Sequence, residues 1–90
     1  KIYIDQGAAR ALNEGKSLLP AGITKVEGSF EKGSNILIVD ENEKSLARGL
    51  SSFTSSEINK IKGKQSKEIE NILGYLSKSE IIHKDDMVKL

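Results

Sequence analysis

Apolar residues fall into short runs separated by polar stretches, and in several runs they alternate with polar positions as in a half-buried strand. Strands are predicted at Ile2 to Ile4, at Ile23 to Phe30, and in a hairpin formed by residues 35–39 and 46–50. Polar residues 40–44 connect the arms of this hairpin. Two short closing strands, at 80–83 and 87–90, are predicted on either side of a polar Lys-Asp-Asp turn.

A first helix is predicted between the first two strands. Asp5 can cap it, because its carboxylate accepts from the free N–H groups of the next turn. Ala8, Ala11 and Leu12 have helical spacing and would form the buried face. Gly15 would end the helix as a left-handed residue.

Two more helices are predicted from their start and stop signals. Thr54 and Glu57 have the spacing of a capping box, and a helix that begins at Ser66 would stop at Gly74. Helices this short are marginal in isolation, so they must pack on the strands. The pattern therefore predicts a mainly β, α+β domain with short helices at its corners.

Composition narrows the class of protein further. Ninety residues allow one domain, here residues 1–90, and 14 basic against 13 acidic side chains leave a net charge of +1. A dedicated nucleic-acid binder is expected to be more basic. The absence of cysteine excludes disulfides and thiolate zinc sites, and no apolar run is long enough for a membrane span. We expect a cytoplasmic protein with no membrane partner.

Motifs that suggest catalysis are incomplete. The Gly-Lys-Ser at residues 15–17 copies the end of a phosphate-binding loop, but Arg10 stands where the upstream glycine belongs and a helix ends where one should begin. Residues 28–34 have glycine spacing without the lysine, which favours a turn between strands. His83, the sole histidine, lies near Asp85 and Asp86, yet adjacent carboxylates in a strand would point to opposite faces. We predict no catalytic residue, no metal site and no cofactor in this chain.

Basic residues around the Leu-Leu-Pro-Ala-Gly loop could line a groove. The nearest are Arg10, Lys16 and Lys25. Recognition of single-stranded RNA also needs exposed aromatic side chains, and the few aromatic residues here are needed for the core. The residues alone therefore favour packing against a partner or another domain over RNA binding.

The first two thirds of the chain resembles the PUA domains, the small pseudo-barrels named for pseudouridine synthases and archaeosine transglycosylases. The resemblance is carried by Asp5, Gly7, Ala8, Ala11, Leu12 and Gly15, followed by SLLPAGI and VEGSFEKG. It continues through residues 35–40 and LARGLSSFTSSEI. It implies a PUA-like pseudo-barrel.

The rest of the chain is similar to the C-terminal end of the bacterial glutamate 5-kinase family. KGKQSKEIENILGY precedes EIIHKDDMV, in which Lys84 replaces a usual arginine and Asp86 a common asparagine. This resemblance implies a parent that phosphorylates the side-chain carboxylate of L-glutamate with Mg-ATP in proline synthesis and is inhibited by proline. It also implies a homo-oligomeric parent whose upstream amino-acid-kinase domain holds the catalytic residues. The present chain would be an inactive accessory domain with a regulatory or assembly role.

The resemblance also implies a binding groove. In RNA-modifying relatives with PUA domains the matching helix and glycine loop lie against RNA. Carried over residue by residue, the groove would comprise Arg10, Lys16, Ala21, Gly22 and Lys25. The resemblance does not extend an RNA role to the kinase family. Two alternatives to an accessory domain of the kinase remain, which are a stand-alone RNA-binding PUA module and a complete small enzyme.

The loop that leads into this groove has its own predicted conformation. Leu18 and Leu19 should both enter the core, and Pro20 fixes its own φ near −65°. Gly22 would permit a positive φ that residues with a side chain avoid, and the alternative is that a glycine stands here for close approach.

Overall fold

The fold is described from a computed structural model for residues 1–75 and 77–90. Over these residues the chain forms five strands and three α-helices. The strands are β1 (Ile2–Ile4), β2 (Ile23–Val26), β3 (Asn35–Val39), β4 (Ser45–Leu50) and β5 (Met87–Lys89). The helices are α1 (Gln6–Asn13), α2 (Ser55–Ile61) and α3 (Ile69–Leu73), and short 3₁₀ turns occupy Pro20–Gly22, Ser66–Glu68 and Lys84–Asp86. None of the described helices is long and apolar enough to cross a bilayer.

The strands form one mixed sheet in the order β2-β1-β3-β4-β5. β1 and β3 are parallel, while the other neighbouring pairs are antiparallel. Among the described residues no ladder joins the edge strands β2 and β5, so the sheet stays open where a pseudo-barrel was predicted. A single bridge between Leu18 and Ile82 connects two loop segments outside the sheet. The α+β class is confirmed.

The core lies between the inner face of the sheet and the helices. Alternation in β1 places Ile2 and Ile4 in the core, where both are fully buried, while Tyr3 points to the other face. The helices add their apolar stripes to the same layer. Other fully buried core side chains are Ile38, Ala47, Ile58, Ile61, Ile81 and Ile82.

Helix termini follow the predicted capping chemistry. The backbone N–H of Ala8 donates to the Asp5 carboxylate at 2.8 Å. Thr54 and Glu57 exchange two hydrogen bonds, of 2.8 and 3.1 Å, as a capping box. Gly15 has φ = 84°, and its N–H donates to the carbonyl of Leu12 at 3.0 Å, so it ends α1 as predicted.

Two predicted strands differ from the structure. The segment 80–83 makes only the single bridge at Ile82, and Ile81 and Ile82 are both fully buried, which an alternating strand on a one-sided core does not allow. β2 ends at Val26, because Gly28 with φ = 84° turns the chain away from the sheet. Phe30 therefore lies in the β2–β3 loop and not in a strand.

Candidate binding groove

A groove of about 320 Å³ lies between α1 and the 3₁₀ turn at Pro20–Gly22. Small and apolar residues form most of its surface, with a carboxylate and a lysine at its edges. The lining residues are Asp5, Gly7, Ala8, Ala11, Lys16, Ser17, Leu18, Leu19, Ala21 and Gly22. We call this surface the α1 groove. It can receive an apolar group flanked by polar contacts.

Close approach of two backbones shapes one wall of the α1 groove. The Asp5 N–H donates to the carbonyl of Gly22 at 2.9 Å, which draws the 3₁₀ turn onto the start of α1. A Cβ on Gly22 would lie less than 3.0 Å from the Cβ of Ala8. Gly22 is not among the glycines with positive φ, so the predicted backbone reason for this glycine was wrong. Glycine is required here because the helix leaves no room for a methyl group.

The Pro20 turn separates the two leucines that precede it. Leu18 is buried at 1% exposure, whereas Leu19 is 47% exposed, so the prediction that both enter the core was wrong for Leu19. Pro20 is itself buried at the first position of the turn, where its missing N–H costs no hydrogen bond. Its carbonyl accepts from the N–H of Gly63 at 2.7 Å. Leu19 therefore forms an exposed apolar wall of the groove.

The predicted groove residues divide into two groups. Lys16, Ala21 and Gly22 line the α1 groove, whereas Arg10 and Lys25 do not. Arg10 is exposed in the last turn of α1. Lys25 lies on β2 beside Tyr3. The structure thus brings together three of the five residues, and their role in binding stays a prediction.

Lys25 belongs to a polar cluster on the outer face of the sheet. Its ammonium lies 5.0 Å from the centroid of the Tyr3 ring and 3.2 Å from a carboxylate oxygen of Glu27. The Tyr3 hydroxyl donates its one hydrogen to Glu43 at 2.7 Å, and its oxygen lies 3.1 Å from a carboxylate oxygen of Glu27. The Tyr3 hydroxyl, followed by the Lys1 ammonium, lowers the pKa of Glu43. The Lys25 ammonium, followed by the Tyr3 hydroxyl, lowers the pKa of Glu27.

The motifs that suggest catalysis occupy structural positions. Residues 15–17 follow the end of α1, so no helix N-terminus faces a ligand there. Residues 28–34 form the loop between β2 and β3, as predicted. His83 precedes the 3₁₀ turn at Lys84–Asp86, and its Nδ1 accepts from the N–H of Asp85 at 3.0 Å. Over residues 1–75 and 77–90 no group of three His, Asp or Glu side chains is arranged to hold a metal ion.

Sequence reasoning missed parts of the groove wall that depend on distant contacts. Ser17 lines the groove, and its hydroxyl accepts from the N–H of Lys84 at 2.8 Å. Asp5 and Ala8 were assigned to capping and to the core, yet both also reach the groove surface. A small residue at position 8 opposite a glycine at position 22 is the one signal in the sequence that could have indicated the close approach.

The fold and groove define the chain as a PUA domain. A family model described as "PUA domain" matches residues 1–73, so the chain belongs to this family and the predicted resemblance is confirmed. A PUA domain from Aeropyrum pernix K1, solved as a tartrate complex, has the same fold with a TM-score of 0.67 and 24% identity, over 91% of this chain and 40% of that one. A chain of the archaeal box H/ACA sRNP complex gives a TM-score of 0.64 at 22% identity, over 91% of this chain and 23% of that one.

More similar in sequence are proteins named glutamate 5-kinase. The protein from Pelagibacter ubique (strain HTCC1062) is 61% identical over 89 residues, which are 99% of this chain and 24% of that protein. The protein from Thermoanaerobacter sp. (strain X514) is 48% identical over 91 residues, 100% of this chain and 24% of that protein. The chain thus spans about a quarter of the length of the curated relatives it matches.

Proposed function

We propose that this chain is the accessory, non-catalytic PUA domain at the C-terminal end of a cytoplasmic glutamate 5-kinase. The parent transfers the γ-phosphate of Mg-ATP to the side-chain carboxylate of L-glutamate in proline biosynthesis. The observation that carries the proposal is 46–61% identity to kinases of that name over nearly the whole of this chain. The rest of each relative's length leaves room for an upstream amino-acid-kinase domain, which would hold the ATP and the magnesium ion.

The α1 groove is the surface that we assign to contact with the kinase domain or with another subunit of a homo-oligomer. Its half-exposed Leu19 and its small apolar lining suit packing against protein side chains. The domain would then act in assembly or in feedback inhibition by proline, and not in the transfer of phosphate.

The first test compares three proteins for ATP-dependent formation of γ-glutamyl phosphate, trapped as its hydroxamate. The full-length parent should be active, and residues 1–90 alone should show no turnover above buffer. The parent without this domain should keep its catalytic turnover but change its oligomeric state or its inhibition by proline. Turnover by residues 1–90 alone would refute the accessory role, and an inactive full-length parent would refute the kinase assignment.

A matched pair of variants tests the groove itself. Leu19 and Leu50 have nearly equal exposure, 47% and 45%, but Leu50 lies on β4 away from the α1 groove. In the full-length parent, Leu19→Asp should change oligomeric state or proline inhibition, whereas Leu50→Asp should not. Equal effects of the two substitutions, or no effect of Leu19→Asp, would exclude the groove as the docking surface.

RNA is the second candidate partner, because one protein of this fold belongs to a box H/ACA sRNP. Fluorescence anisotropy of a labelled single-stranded RNA, titrated with residues 1–90 at low salt, tests whether the chain binds RNA. RNA binding should weaken with a log–log salt slope of about −0.7 per phosphate contacted. Arg10→Glu and Lys16→Glu should abolish it, and Lys60→Glu, on the exposed side of α2, is the control. No complex at low salt would exclude RNA.

A further inference from the structure

The two edge strands of the sheet differ in how well they are protected against pairing with another chain. β2 presents the exposed side chains of Thr24 and Lys25, and a bulge interrupts its ladder with β1. Charged side chains and bulges are the devices by which edge strands avoid such pairing. β5 pairs with β4 in unbroken register from Met87 to Lys89, and its middle residue, Val88, is 68% exposed.

The hydrogen-bond pattern of β5 determines which backbone groups its free edge presents. The N–H of Leu90 donates to the carbonyl of Leu46 at 3.0 Å, across the ladder between β4 and β5. Hydrogen-bonded positions alternate along an antiparallel ladder, so Val88 also directs its N–H and C=O toward β4. Met87 and Lys89 direct theirs to the opposite side. Among the described residues, no backbone group beyond the sheet pairs with them there.

Side chains do not shield this edge. Val88 lies opposite Arg48 on the outer face of the sheet, whereas Lys89 lies opposite buried Ala47 on the inner face. The Lys89 ammonium donates to the carbonyl of Asn13 at 3.1 Å, so the one charged side chain of β5 is held against the end of α1. An edge with unpaired backbone groups and an exposed valine is a template for a further strand.

We propose that β5 pairs antiparallel with β5 of a second copy of the chain, about a two-fold axis at Val88. In this register Met87 lies opposite the partner's Lys89, and the backbone groups that each copy leaves free pair with each other. Val88 lies opposite the partner's Val88 at a position without hydrogen bonds, where Cα atoms are about 4.5 Å apart and side chains are closest. A two-fold contact requires a self-complementary surface, and the free groups of β5 are placed symmetrically about Val88.

The charges at the two ends of β5 suit the same arrangement. Asp85 and Asp86 precede the strand, and Lys89 ends it. Antiparallel pairing sets the acidic end of one copy beside the basic end of the other. The Lys89 ammonium keeps its charge for this contact, because its acceptor within the domain is a neutral carbonyl.

The size of the contact determines where it operates. Three residues from each copy bury much less than the roughly 1,200 to 2,000 Å² of a stable interface, so the free chain should pair only at high concentration. In a homo-oligomeric parent, the other contacts between subunits would supply the second copy at a high effective concentration. That role in the parent rests on the proposed function. The pairing itself concerns residues 1–90 and uses none of the residues that line the α1 groove.

Disulfide trapping of residues 1–90 tests the register, because the chain contains no cysteine. In an oxidising glutathione buffer, Val88→Cys should form a disulfide between two copies, since a Cα separation of about 4.5 Å is one that a disulfide spans. Leu90→Cys is the matched control, because Leu90 is 67% exposed. In this register the two copies of residue 90 lie about 14 Å apart, four residues along the strands. Val88→Cys should therefore be trapped at least about tenfold faster.

A second measurement does not depend on cysteine chemistry. As the concentration of the chain rises, NMR shifts should concentrate on the amides of Met87, Val88 and Lys89. Val88→Asp should weaken self-association at least about tenfold, because it sets two carboxylates opposite each other in place of two valines. Leu19→Asp, in the α1 groove, is the control and should leave this self-association unchanged. Val88 is exposed, so its variants should fold, and their amide spectra at low concentration check this.

Three outcomes would overturn the proposal. Equal trapping of Val88→Cys and Leu90→Cys would mean random collision, and equal weakening by Val88→Asp and Leu19→Asp would place self-association elsewhere. The third outcome is found in the full-length parent: protection of β5 from hydrogen exchange without trapping of Val88→Cys would mean that another segment covers the edge. The assay for γ-glutamyl phosphate is independent of all three, so a failure of this pairing is distinguishable from a failure of the proposed function.

Discussion

Substitution of Gly22 by alanine tests the contact that shapes the α1 groove. The new Cβ would lie less than 3.0 Å from the Cβ of Ala8, whereas carbon atoms in contact are about 3.5 to 4.0 Å apart. Its other neighbours, the Ala8 Cα at 3.5 Å and an Asp5 carboxylate oxygen at 3.6 Å, are at ordinary distances. The strain therefore comes from one pair of methyl groups, and α1 must move to relieve it.

The expected cost follows from that geometry. Overpacking of this kind costs about 1 to 3 kcal/mol, and at negative φ a gain of about 0.4 to 1 kcal/mol from the less flexible unfolded chain offsets part of it. Gly22→Ala should thus lower the free energy of unfolding by about 0 to 2.6 kcal/mol, with about 1.3 kcal/mol at the middle of both ranges. For a domain of this size that middle value corresponds to a fall in Tm of roughly 5 to 10 °C. Urea denaturation with a constant m value is the assay.

A double-mutant cycle with Ala8 isolates the methyl–methyl contact. Ala8→Gly alone should cost about 1 kcal/mol, the helix propensity difference. In the Ala8→Gly background the strain should be absent, because the clashing methyl group is gone, and Gly22→Ala should instead stabilise the domain by about 0.4 to 1 kcal/mol. The two changes should therefore be non-additive by about 1 to 3 kcal/mol, the size of the strain. Additive effects would refute the reasoning, since strain from the backbone of Gly22 would persist whatever stands at position 8.

Further predictions concern the leucines, a buried hydroxyl and the polar cluster. Leu18→Ala should cost about 2 to 5 kcal/mol in urea denaturation, while Leu19→Ala should change stability by less than about 0.5 kcal/mol, and equal costs would contradict the burial described. Ser55→Ala should cost about 1 to 3 kcal/mol, because its hydroxyl accepts from a loop N–H at 3.1 Å, and a neutral result would exclude that bond. The pKa of Glu43, depressed below 4.5 chiefly by the Tyr3 hydroxyl, should rise in Tyr3→Phe, as measured by NMR titration. The pKa of Glu43 is lower in the folded state than in the unfolded state. The stabilisation that ionised Glu43 contributes is therefore fully present above pH 4.5, and it is lost as the pH falls through the pKa of the folded state.

Local chemistry in the sequence determined the helix ends, the hairpin and much of the core. Asp5, Thr54 and Glu57 cap helices with short side chains that reach only neighbouring N–H groups, so their role does not depend on the rest of the fold. The period of apolar residues likewise placed Ile2 and Ile4 on one face. The family resemblance supplied the PUA fold, which no periodicity could have indicated.

Only the tertiary structure decided which side of the Pro20 turn faces solvent and which residues share a cleft. Leu18 and Leu19 are chemically identical neighbours, and the bridge from Leu18 to Ile82 determines which of them is buried. Position 22 requires a glycine because Ala8 of α1 packs directly against it. The two residues are fourteen positions apart, so no local sequence pattern encodes their contact. The segments around Lys16, Lys84 and Lys89 come together only in the folded chain, where the N–H of Lys84 donates to the Ser17 hydroxyl and the Lys89 ammonium donates to the Asn13 carbonyl.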